Sequence, residues 1–126
     1  MPPRSGQGSV WRSLGHAVTG LGDLLGSQRN ARIHLGATLL VLGIGLYAGI
    51  GLHDWALLVV VTGWVWCLEA VNTALERLAD AVTTEHHPLI GRAKDLAAGA
   101  VLLAALLAVI VGGLILLPPL WQRWTG

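Results

Sequence analysis

The sequence predicts an all-α membrane protein: an N-terminal amphipathic helix lying in the membrane interface, then three transmembrane helices. Three observations carry that expectation. Hydrophobic residues make up 54% of the 126-residue chain and charged residues only 12%, about half the roughly 25% of soluble domains. The mean hydropathy is +0.66, so a soluble globule of this size would expose more apolar surface than water tolerates. Finally, three apolar stretches approach the ~20 residues that a helix needs to cross a ~30 Å hydrocarbon core. The same composition excludes a disordered chain and a basic nucleic-acid binder, since the net charge is +1. The single cysteine, Cys67, cannot form an internal bridge and is read as a small buried hydrophobe.

The elements follow in order. Residues 1–9, rich in Pro, Gly and Ser, are expected to be disordered and show no cleavable-signal pattern. Val10, Leu14, Val18, Leu21 and Leu25 then recur at spacings of three and four, with Arg12, His16, Thr19, Asp23 and Ser27 across most of the other face. That periodicity predicts an interfacial helix over about 10–30, although a short helix packed on the bundle would look the same. Gly15, Gly20 and Gly22 weaken the helix. Spans are expected at about 35–52, 55–75 and 96–117, within a single membrane domain over 10–117. Pro118-Pro119 would then end the third span and leave 118–126 as a short tail on the outer side.

Seven of the eight basic residues fall before the first span or beside the second loop; only Arg123 lies at the other end. The positive-inside rule therefore predicts a multi-pass protein of the cytoplasmic membrane with its N-terminus in the cytoplasm. Trp55, Trp121 and Trp124 mark the opposite boundary as an aromatic belt, while Trp64 and Trp66 fall mid-span, against helices or lipid.

The second span carries the chemistry. At 100° per residue, Glu69, Asn72, Thr73, Glu76 and Asp80 fall within an arc of about 100°. Glu69 is about 21 Å along the axis from Trp55, still inside the hydrocarbon core, whereas Glu76 and Asp80 reach its surface. A carboxylate at that depth is costly unless it is protonated, paired or wet, and so marks a function. Glu69 alone could be a hydrogen-bonding link between helices. Three acids and an asparagine on one stripe, directed at a basic loop, favour a site. The loop, Thr83 to Asp95, adds Glu85, His86, His87, Arg92, Lys94 and Asp95. Lys94 can meet a phosphate as a point charge, and Asp95 also suits the start of a third helix at Leu96. His86-His87 makes a poor transition-metal site, because adjacent side chains diverge and no third ligand is spaced to match. No Gly-rich phosphate loop ends in a lysine anywhere.

The stretch Glu69-Ala70-Val71-Asn72-Thr73-Ala74-Leu75-Glu76 resembles the E-x-x-N-[ST]-A-[IL]-E pattern of the prokaryotic integral-membrane diacylglycerol kinase family. Glu85-His86-His87 and Ala93-Lys94-Asp95 fit its second-loop pattern, and Arg29-Asn30-Ala31-Arg32-Ile33-His34 looks more like the undecaprenol kinase branch. The resemblance spans about Arg12 to Leu117. It implies a homotrimeric bundle with active sites shared between neighbours, and transfer of the γ-phosphoryl of MgATP to a lipid alcohol. Glu69 would be the general base, with Asn72 ordering the same site. Glu76 would bind Mg²⁺, and Glu85, His87, Lys94 and Asp95 would hold the nucleotide. The family's second metal-binding glutamate is replaced here by Gln28, whose neutral amide can coordinate but supplies no charge. His16 and Ala98 also depart from other members, which leaves the acceptor open. An alternative of a different class is a small proton- or ion-translocating oligomer with Glu69 as its relay; a catalytically silent subunit is another. The Glu85-x-His87 and Lys94-Asp95 groups have no evident use in a channel.

Overall fold

The computed structural model describes residues 6–126, which form four helices: α1 (Gly6–Ser27), α2 (Arg29–Ala48), α3 (Leu52–Val82) and α4 (Pro88–Thr125). No strand occurs among the described residues. Helices α2, α3 and α4 are each long and apolar enough to cross a membrane. The expected disorder over 1–9 meets helix from Gly6 onward, while residues 1–5 lie outside the described residues.

Helix boundaries follow from local chemistry. Between α1 and α2 only Gln28 leaves helical geometry, with φ −106° and ψ 118°. Its N–H still donates to the Leu24 carbonyl at 3.0 Å and its carbonyl accepts from Arg32 at 3.3 Å, so the chain turns a corner on one residue. Helix α2 ends at Gly49, which adopts the left-handed conformation (φ 67°) that glycine enters without a Cβ penalty. The turn to α3 is thereby compressed to residues 49–51, and His53-Asp54, expected in a loop, form the first turn of α3, where Asp54 favours the helix dipole.

Two ends differ from expectation. The third membrane helix starts at Pro88 rather than Leu96, because proline at the first helical position gives up no useful N–H. Arg92, Lys94 and Asp95 therefore ride on the first turns of α4, and the loop shrinks to residues 83–87. At the other end α4 continues through Pro118 and Pro119 to Thr125 instead of stopping at Leu117. Each proline removes one donor from the ladder, a loss that long apolar helices can absorb through their surroundings.

The apolar core sits at the end of the bundle holding the α2–α3 turn. Ala48, Leu58, Ile115 and Leu116 are buried together, with Ile44 and Trp55 packed on them. Gly45 makes this approach possible: a Cβ there would lie 2.7 Å from the Trp55 ring. Arg123 stacks over the Tyr47 ring at 4.9 Å and closes the same end. The opposite half of α3 buries polar groups instead, Glu69, Asn72 and Thr73. Helix α1 buries Leu24 but leaves Val10, Trp11, Leu14, Val18 and Leu21 uncovered by the rest of the chain.

Candidate active site

The site is built on the far half of α3, where the predicted polar stripe turns inward. Glu69 is 2% exposed, Asn72 7% and Thr73 4%, while most apolar residues of α3 face outward. In lipid this is the expected inversion, since apolar surface gains nothing by hiding from hydrocarbon and polar groups do.

Glu69 faces α2. His34 Nε2 lies 3.6 Å from Glu69 Oε2, and the imidazole packs edge-on against Trp66 with ring centroids 6.3 Å apart. The Trp66 Nε1–H donates to Thr38 Oγ1 at 3.0 Å, and that hydroxyl donates to the His34 carbonyl at 2.7 Å. Of the two mid-span tryptophans, Trp66 thus joins helices, while Trp64 faces outward. One turn beyond Glu69, Asn72 Nδ2 donates to Glu76 Oε1 at 3.3 Å. Asn72 Oδ1 and Thr73 Oγ1 are buried and have no partner.

At the α3–α4 corner Lys94 Nζ donates to Asp80 Oδ1 at 2.5 Å. Arg77 donates to Asp23 and, at 2.6 Å, to Ser27 Oγ, which ties the end of α1 against α3. A cleft of about 390 Å³ opens beside Glu69's partner; its wall includes His34, Thr38, Val65, Trp66, Ala108 and Gly112.

The residues expected to form the site are only partly united. Glu69, Asn72 and Glu76 share one face of α3, as the periodicity predicted. Gln28 is half-buried at the α1–α2 corner, and its side chain does not cap α2. Glu85 is exposed, with its backbone N–H bonded to Thr83 Oγ1 at 3.0 Å; His87 is exposed at the N-cap of α4, and Asp95 is exposed on its first turns. Lys94 lies against Asp80, a partner the sequence placed on the stripe but not in the site. Sequence reading also missed His34 as the group facing Glu69. Its position at the polar start of an apolar stretch was the available signal.

The donor set suits a hard cation. Glu76 supplies a carboxylate, and Asn72 a buried amide oxygen that lacks any partner. No group of three His, Cys, Asp or Glu that could hold a metal occurs among the described residues. A cation here would complete its shell with phosphate oxygens and water, as Mg²⁺ does.

The sequence profile described as prokaryotic diacylglycerol kinase matches residues 15–116. An undecaprenol kinase of Bacillus subtilis (strain 168) is 37% identical over 110 residues, covering 87% of this chain and 89% of the relative. A diacylglycerol kinase of Synechocystis sp. is 43% identical over 109 residues, 86% of this chain and 62% of the relative. A diacylglycerol kinase of Escherichia coli (strain K12) is 36% identical over 74 residues, 59% of this chain and 61% of the relative.

Proposed function

The chain belongs to the prokaryotic diacylglycerol kinase family, a family of membrane lipid kinases, and we propose that it transfers the γ-phosphoryl group of MgATP to the hydroxyl of a membrane lipid alcohol, undecaprenol in preference to diacylglycerol. The observation that carries this reading is the buried carboxylate of Glu69, heading a polar stripe beside an apolar cleft. A lipid alcohol can keep its chain in the apolar cleft and bring its hydroxyl to the carboxylate. The preference for undecaprenol rests on the Arg29 to His34 segment and on the long match to a relative of that name.

Phosphoryl transfer asks for positioning and charge neutralisation more than covalent chemistry. Glu69 accepts the proton of the acceptor hydroxyl as that oxygen bonds to the γ-phosphorus. The bond from phosphorus to the β–γ bridging oxygen breaks and ADP departs. Asn72 holds Glu76 in orientation through its amide N–H. Glu76, Asn72 and Gln28 are the residues that would hold Mg²⁺, which when bound neutralises charge on the transferring phosphate. Glu85, His87, Lys94 and Asp95 hold the nucleotide at the corner where α3 meets α4.

We place this end of the bundle at the cytoplasmic face of the cell membrane, with α1 lying in the interface. The clustering of seven basic residues supports that orientation, and the uncovered apolar row of α1 supports its interfacial position. A homotrimer is proposed with it, as the resemblance of the Glu69 to Glu76 stretch to the family implies.

The test is a transfer assay with purified protein in lipid micelles, γ-labelled MgATP and either lipid alcohol. Labelled lipid phosphate is expected with both, faster with undecaprenol. No labelled lipid from either acceptor, with a Gln28→Glu variant included, would contradict a kinase and favour the ion-translocating alternative.

A further inference from the structure

Glu69 is nearly sealed inside the bundle, its side chain 3% exposed, and a carboxylate so placed needs a fixed partner. Among the described residues that partner is His34, whose Nε2 lies 3.6 Å from Oε2. The separation suits charge pairing and falls short of a hydrogen bond; closing it by roughly half an ångström would make one, the kind of tightening that occurs when a substrate binds.

The imidazole is itself held. Trp66 packs against it at an interplanar angle of 65°, and the indole N–H is fixed by Thr38 Oγ1, which in turn bonds to the His34 carbonyl. Trp66 precedes Glu69 by three residues on α3, about one helical turn. Ring, indole and hydroxyl therefore close a circuit between α2 and α3 that ends on the carboxylate. His34 is also the ionisable residue in the wall of the apolar cleft, with its side chain 22% exposed. It stands between the acceptor's approach and the base.

We propose that His34 is a positioning residue for Glu69: its Nε2–H directs one carboxylate oxygen and leaves the other to face the acceptor hydroxyl. This inference rests on the reading of Glu69 as the base. If the imidazole is neutral, the arrangement requires the tautomer with its proton on Nε2. Loss of the ring would leave the carboxylate buried but undirected, so chemistry should suffer more than nucleotide binding.

The experiment is steady-state kinetics of the full chain in lipid micelles, with kcat and both KM values measured for His34→Ala, His34→Phe, His34→Gln and Glu69→Gln. His34→Ala and His34→Phe should lower kcat about 10- to 100-fold, the scale of a small misplacement of a catalytic group. The KM for MgATP should stay within about twofold, as expected for an interaction made in the chemical step. His34→Gln, whose amide N–H can reach the carboxylate, should recover most of the lost kcat.

A packing role for His34 makes the opposite forecast. His34→Phe would fill the space against Trp66 and stay active, and that result overturns the proposal. Wild-type kcat in His34→Ala, or an equal loss in His34→Gln, also overturns it. The two readings fail separately. Glu69→Gln at the wild-type rate removes the base and the inference with it, whereas an inactive Glu69→Gln beside a fully active His34→Ala removes the inference alone.

Discussion

Lys94 Nζ sits 2.5 Å from Asp80 Oδ1, so the lysine expected to meet a phosphate is tied to a carboxylate across the α3–α4 corner. The pair is partly solvated, with 35% of the lysine side chain and 64% of the aspartate exposed, and an ion pair of that kind contributes about 0–1 kcal/mol to stability. If Lys94 holds the nucleotide as proposed, its consequence lies in binding, because nucleotide and Asp80 would compete for one ammonium group. Asp80→Asn should lower the KM for MgATP by about two- to fivefold at little cost in melting temperature, and Lys94→Ala should raise it about tenfold, differences of about 0.4 to 1.4 kcal/mol in phosphate binding. Steady-state kinetics at varied MgATP checks both.

Cation affinity should follow the carboxylates. Glu76 is joined to Asn72 at 3.3 Å, and Gln28 at the α1–α2 corner offers an amide where a carboxylate would add charge. Gln28→Glu should lower the Mg²⁺ concentration for half-maximal activity by about threefold or more, and Glu76→Gln should raise it about 10-fold or more, since oxygen-ligand charge sets the affinity of such sites. Mg²⁺ titrations at fixed ATP give the readout.

Packing at the other end depends on the bare backbone of Gly45. A Cβ at that position would come 2.7 Å from the Trp55 ring, while one at Gly43 meets nothing within 4 Å. Gly45→Ala should destabilise the protein by about 1–3 kcal/mol, as overpacking does, although alanine is the better helix former. Gly43→Ala should leave the melting temperature unchanged or higher. Thermal unfolding in a single detergent compares the two.

Arg77 joins α1 to the helix that carries Glu69 and Glu76, through Asp23 and Ser27. The groups are about half exposed, so Arg77→Ala should change global stability by less than about 1 kcal/mol. Amide exchange in α1 should nevertheless accelerate, because its end loses a latch while the bundle persists. Hydrogen exchange read by peptide mass, α1 against α3, distinguishes local release from global loosening.

The polar stripe and the three spans were legible because each is written in local periodicity. Glu69, Asn72, Thr73 and Glu76 had to share a face once α3 was a helix, and burial of the first three follows from their surroundings in lipid. Helix ends were less legible. Pro88 could be read as a breaker or as the first helical residue, and the charged segment after it looks like a loop until its helix is seen. Pro118-Pro119 gave a false stop for the same reason: a missing N–H disfavours a helix without forbidding it. Contacts between helices were hidden, since nothing in the spacing of His34 and Glu69 or of Asp80 and Lys94 states which side chains will meet.

In the proposed reaction the sealed carboxylate of Glu69 takes the proton from a lipid alcohol during phosphoryl transfer. The direct measurement is the rate of γ-phosphoryl transfer from saturating MgATP to undecaprenol by the Glu69→Gln variant, which keeps the size of the side chain but cannot accept the proton. Its rate should fall about 10²- to 10⁴-fold below that of the unaltered protein, the range that a general base contributes, with MgATP binding retained. A Glu69→Gln protein that turned over at the original rate would show that Glu69 is not the base.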